Sequence, residues 1–230
     1  MNRTSRDIGR TDVTIPSDSI HLAGTYSEPR GARGVVLFAH GSGSSRHSPR
    51  NKTVAAELEA AGFATLLLDL LTVKEEQIDE ITREYRFDIP MLGERLISAI
   101  DWLASHGWTA PGAIGLFGAS TGAGAALIAA AARPEAVGAA VSRGGRPDLA
   151  GAHLAAVRAP TLMIVGSRDE QVIDLNRQAM AAMTCPVHLA IVPGATHLFE
   201  EPGTMSQVIG LARDWFLTHL GASRQLTSAR

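Results

Sequence analysis

Cysteine occurs once in the 230 residues, at Cys185. No disulfide can form within the chain, a composition that suits a reducing, cytoplasmic compartment. Aromatic residues make up only 5%, which argues against a large aromatic-lined pocket. An excess of either charge is missing as well, with 21 Lys+Arg against 23 Asp+Glu and a formal net charge of -2. Nothing global therefore favours nucleic acid or an anionic membrane as a partner. No apolar run is long enough to cross a bilayer, because Arg, Asp, Glu or Pro interrupts each one. The polar start, Met1-Asn2-Arg3-Thr4-Ser5-Arg6-Asp7, is not followed by an apolar signal-peptide core. Internal repeats and low-complexity linkers are absent too. What is present is 45% hydrophobic and 19% charged residues, enough for a full core and against disorder. The expectation is one α/β domain over residues 1–230, with 1–10 and 221–230 loose at the ends.

Residues 12–26 show two extended runs broken by Pro16-Ser17-Asp18, a hairpin signal. Continuous β-type apolar runs follow at 34–39, 63–68, 113–117, 136–141, 160–165 and 187–192. Such runs suit strands covered on both faces. Between them, helices are expected at 49–61, 90–106, 123–132, 149–157, 172–183 and 204–220. The clearest is 90–106, where Leu92, Leu96, Ile97, Ile100 and Leu103 recur at helical spacing. The charged stretch 74–88 suggests a single helical turn at most. Strands alternating with helices after a β-rich start predict a mostly parallel, doubly wound sheet with helices on both faces.

One stretch carries chemistry. Gly118-Ala119-Ser120-Thr121-Gly122 has the form G-x-S-x-G, after an apolar strand and before an Ala-rich helix. That setting is a nucleophile elbow, in which Ser120 projects from a sharp turn at the helix N-terminus. The Thr121 N–H and the helix dipole there favour a developing oxyanion. A serine hydroxyl needs a base, and that base should sit at the carboxyl end of the sheet. Of eight histidines, His197 is best placed, on a turn just beyond a predicted strand. His106, His188 and His219 lie at a helix end, within a strand and at the end of the last helix. An imidazole base needs a carboxylate to hold its tautomer. Asp169, after the strand at 160–165, is preferred to Asp148 and Asp174.

A second oxyanion donor is expected from His40-Gly41-Ser42-Gly43, through the N–H of Ser42 or Gly43. This Gly-rich turn lacks both G-x-G-x-x-G and the P-loop lysine pattern, which argues against a nucleotide site. Arg46 and Arg50 follow it, and Arg143 and Arg146 follow the strand after the elbow unit. Together they are candidates to clamp an anionic group on a small-molecule substrate. Neither a metal nor a cofactor is called for.

The chain resembles the α/β-hydrolases, and within them the small dienelactone-hydrolase-like branch. The resemblance covers roughly residues 35–220 and is carried by His40-Gly41-Ser42-Gly43, Asp69-Leu70-Leu71-Thr72, the elbow, Gly166-Ser167-Arg168-Asp169 and Gly194-Ala195-Thr196-His197. It implies the α/β-hydrolase fold, with Ser120 as nucleophile, Asp169 as acid partner and His197 as base. Where dienelactone hydrolases use cysteine, this chain has Ser120. Where they carry an arginine shortly after the histidine, it reads Leu198-Phe199-Glu200-Glu201. The resemblance thus implies the hydrolase chemistry rather than a dienelactone substrate. Residues 142–159 are too few for a cap domain. The expected activity is hydrolysis of a small ester, thioester or lactone through an acyl-serine intermediate. The alternatives are acyl transfer by the same three groups and a non-catalytic binding protein that kept the fold.

Overall fold

The computed structural model describes residues 8–220. Strands β1 (Ile8–Ser17) and β2 (Ile20–Pro29) form an antiparallel hairpin, and β2 pairs antiparallel with β4 (Ala64–Leu68). The remaining strands, β3 (Val35–Ala39), β5 (Ile114–Ala119), β6 (Val137–Arg143), β7 (Thr161–Gly166) and β8 (Val187–Val192), pair parallel. The sheet order is β1-β2-β4-β3-β5-β6-β7-β8, with β3 also parallel to β4. This is the mostly parallel α/β-hydrolase sheet that the sequence predicts.

The central strands are buried throughout because both sheet faces are covered. Successive side chains of β3 serve opposite cores, as a period of two requires. Val35, Leu37 and Ala39 pack in the core that includes α3 (Ile89–Ser105) and α4 (Thr121–Ala132). Val36 and Phe38 pack in the opposite one, with Val54 and Leu58 of α1 (Pro49–Ala60) and Val208, Ala212 and Phe216 of α6 (Thr204–His219). Leu96 and Ile100 of α3 are fully buried, each worth about 1.5–3 kcal/mol relative to exposure. Helix α4 has almost no polar face, because it is enclosed by its neighbours and buried from Thr121 to Ala130. No helix among the described residues is long and apolar enough to cross a membrane.

Three expectations need correction. Residues 8–10 belong to β1 rather than to a loose end; the rest of the two ends, 1–7 and 221–230, lies outside the described residues. The charged stretch forms a complete helix, α2 (Val73–Thr82), opened by a capping box between Thr72 and Glu75. Its stability is tertiary, since Arg95 of α3 holds the Glu75 carboxylate. Third, the connection after β6 is a kinked 3₁₀ segment, Pro147–Ala156, broken at Gly151. Beyond it, α5 (Glu170–Ala181) links β7 to β8.

Candidate active site

Ser120 sits between β5 and α4 with φ 50° and ψ -124°. A side chain rarely adopts this backbone, and the fold over-determines it. The Ser120 N–H donates to the Arg143 carbonyl at 3.2 Å, and the Ser120 carbonyl accepts from Ala123 at 3.1 Å and Arg146 at 3.0 Å. The flanking glycines make the turn possible. A Cβ on Gly118 would lie 2.4 Å from Ala123 Cα, and one on Gly122 would lie 2.4 Å from the His40 carbonyl oxygen. Only glycine permits such close backbone passage. Ser120 itself remains half-buried.

Asp169 occupies the N-cap position of α5 just beyond β7, its side chain making no capping bond, and His197 lies on the loop after β8. Parallel pairing of β7 with β8 brings their carboxyl ends together. His197 Nδ1 lies 2.6 Å from Asp169 Oδ2. Because a carboxylate only accepts, Nδ1 carries a proton, and in the neutral tautomer of the ring this leaves the lone pair on Nε2. The two loops are tied by Arg168 N–H to the Ala195 carbonyl at 2.9 Å and Gly194 N–H to Ser167 Oγ at 2.8 Å. His197 and Ser120 line one pocket of about 240 Å³. The rival groups lie elsewhere, most of them engaged by other partners. His106 stacks on Trp102 with ring centroids 4.0 Å apart, and His219 packs on Trp215 at 4.4 Å. His188 is an exposed residue of β8. Asp148 chelates Arg146 at 2.7 and 2.8 Å, and Asp174 pairs with Arg177 at 3.2 Å.

The loop after β3 is held by a residue to which the sequence attached no role of its own. His40 is buried, its Nδ1 donating to the Gly41 carbonyl at 2.9 Å and its Nε2 accepting from the Leu70 N–H at 3.0 Å. Burial pushes its pKa below the ordinary histidine value, against the Gly41 bond and the Asp69 charge. The neutral ring therefore clips the β3 loop to the end of β4. The signal for it was its place immediately after a buried strand.

The Ser42 N–H donates to Thr121 Oγ1 at 3.0 Å, so it already has an acceptor. The N–H groups of Thr121, first in α4, and of Gly43 have none among the described residues. Gly43 does not line the Ser120 pocket. It lines a second cavity, of about 310 Å³, with Thr121, Leu70, Leu71 and Leu92.

The four arginines divide. Arg46 pairs with Asp69 and Arg146 with Asp148, and neither lines the Ser120 pocket. The expected convergence of all four is thus corrected to two, Arg50 and Arg143. Arg143 is the last residue of β6, in register with Ala119, rather than part of the following turn. Among the described residues no group of three or more His, Cys, Asp or Glu side chains could hold a metal ion.

Comparison with known proteins gives the family and the fold. The profile of the dienelactone hydrolase family matches residues 22–214. A crystal structure of a dienelactone hydrolase from Anabaena variabilis is 52% identical, superposes with a TM-score of 0.88, and the match covers 93% of this chain and 99% of that one. The esterase Est1E of Butyrivibrio proteoclasticus shares the fold at a TM-score of 0.73 and 14% identity, over 90% of this chain and 98% of that one. Two Mycobacterium tuberculosis proteins that carry the provisional name phosphoribosyl transferase are 56% identical over 209 residues, 91% of this chain and 46% of theirs. The chain thus spans about half the length of the curated relatives it matches.

Proposed function

The chain belongs to the dienelactone hydrolase family, and we propose that it hydrolyses a small ester, thioester or lactone through an acyl-serine intermediate. The observation that carries this reading is the 2.6 Å contact of His197 with Asp169, with His197 lining the same pocket as Ser120. Ser120 Oγ attacks the substrate carbonyl while His197 Nε2 takes its proton. Asp169 holds the imidazole tautomer and stabilises the imidazolium. The carbonyl oxygen becomes an oxyanion against the Thr121 N–H, and displaces the Thr121 hydroxyl from the Ser42 N–H or shares that donor with it. His197 then protonates the leaving alcohol or thiol. Water, deprotonated by the same nitrogen, releases the acid and restores Ser120.

The phosphoribosyl transferase name belongs to proteins about twice as long, so the match does not bring that activity to this chain. The test is labelling by a fluorophosphonate, located by peptide mass spectrometry, beside turnover of short p-nitrophenyl esters, thioesters and lactones. Labelling on Ser120 and a loss of about a thousandfold or more in Ser120→Ala are expected. Undiminished hydrolysis by that variant would refute the assignment. An unlabelled, inactive wild type would favour a binding protein, and partition toward an added alcohol would favour acyl transfer.

A further inference from the structure

Arg143 is an anomaly among the arginines of this molecule. It is only 9% exposed, yet its guanidinium makes no ion pair and no side-chain hydrogen bond among the described residues, and Nη1 is buried with no partner. Each of Arg46, Arg86, Arg95, Arg133 and Arg146 has a carboxylate. A cation removed from water without a counterion is costly, so buried charges are ordinarily paired. Burial and the nearby Arg50 charge push the Arg143 pKa down to about 10, which leaves it protonated at neutral pH. Arg50 lines the same pocket. Its Nε is also buried and unpartnered, while its Nη1 reaches only the exposed Glu200 at 3.2 Å.

The pocket between them is built for an anion. Its floor includes the N-terminus of α1, where Ser48 caps the helix and no acidic side chain neutralises the first turn. Helix N-termini attract anions through the dipole and free N–H groups; here Pro49 has no N–H and the Asn51 N–H is capped by Ser48 Oγ, so this end contributes chiefly its dipole. Ser44 and Ser48 add hydroxyls to the lining. Arg143 stands beside the nucleophile, since its carbonyl accepts the Ser120 N–H at 3.2 Å.

We infer that this pocket binds a phosphate group carried by the substrate, anchored by Arg143 and Arg50 at the N-terminus of α1. The inference rests on Ser120 being the nucleophile of an ester hydrolase, and it names the substrate class: a small phosphorylated ester, thioester or lactone. Two guanidinium groups from different elements match the second charge and third oxygen that a phosphate has and a carboxylate lacks. The phosphate is an anchor only, and no bond to phosphorus forms or breaks.

Two measurements test this separately from the hydrolase reading. The first is calorimetric titration of inorganic phosphate into Ser120→Ala, which keeps the anchor, and into the same protein carrying Arg143→Leu or Arg50→Gln. Binding that weakens by about tenfold or more in each arginine variant is expected. The second compares kcat/KM for a neutral p-nitrophenyl ester with analogues ending in a carboxylate or a phosphonate. The phosphonate-to-neutral ratio should exceed about ten in the wild type and fall by about tenfold or more in Arg143→Leu. Should Arg143→Leu fail to fold, the half-exposed Arg50→Gln carries both measurements. Phosphate binding indifferent to both arginines, or a preference for the carboxylate ester, overturns the inference. Arginine-dependent phosphate binding with no turnover of any ester upholds the anchor and removes the hydrolase reading instead.

Discussion

Replacing Ser120 by glycine should abolish turnover and yet make the protein more stable than replacing it by alanine. Ser120 is held at φ 50° and ψ -124°, a region that costs a residue with a Cβ on the order of 1–3 kcal/mol. Alanine keeps the Cβ and the strain, whereas glycine removes both. Two terms oppose the gain. Glycine loses more backbone entropy on folding, about 0.5–1 kcal/mol relative to alanine. The Cβ also gives up contact, but Ser120 is half-buried, so the loss is a fraction of the roughly 0.8 kcal/mol for a buried methylene. The balance favours glycine by about 1 kcal/mol, or a Tm higher by about 2–4 °C in a chain of this size. Differential scanning calorimetry of the two variants in one buffer, beside an ester assay showing both inactive, measures this. A Ser120→Gly protein melting at or below Ser120→Ala would refute the reasoning that the elbow stores strain at Ser120.

Asp169→Asn should lower kcat/KM by on the order of a thousandfold or more, because an amide disfavours the Nδ1–H tautomer of His197. Asp148→Asn should cost little activity, since Asp148 serves Arg146; the reverse ranking in the ester assay would place the acid on the wrong strand. Acidification should weaken the fold through His40. Its native pKa is depressed by burial from 6.5, so both states are neutral above that value. As the pH falls through 6.5, the unfolded state takes up the proton first and stability declines, by up to about 1.4 kcal/mol per pH unit. Urea unfolding of wild type and His40→Gln between pH 5 and 7 checks it: the variant should show the shallower slope, and equal slopes would remove His40 from the account.

Much of the architecture follows from residues close in sequence. The buried strands are short β-type runs, and the periodicity of α3 is plain in Leu92, Leu96, Ile97, Ile100 and Leu103. The elbow is a local object, because a tight strand-to-helix turn needs glycines at fixed offsets from the serine. The chain order of Ser120, Asp169 and His197 follows from which strand each one trails. Helix α2 was hidden because its fold-stabilising partner, Arg95, lies 20 residues from Glu75, although the Thr72–Glu75 capping pattern was there to be read. The acceptor of the Ser42 N–H is 79 residues away, on Thr121. The fate of the arginines was least accessible of all. All four are the same residue type near the same sheet edge, and sequence treats them alike. Only the packed structure puts a carboxylate beside Arg46 and Arg146 and leaves Arg143 buried at the end of β6 with none. Sequence determines which groups a chain can bring to its site. Which of them meet a counterion is decided by through-space electrostatics and burial, and these exist only once the chain has folded.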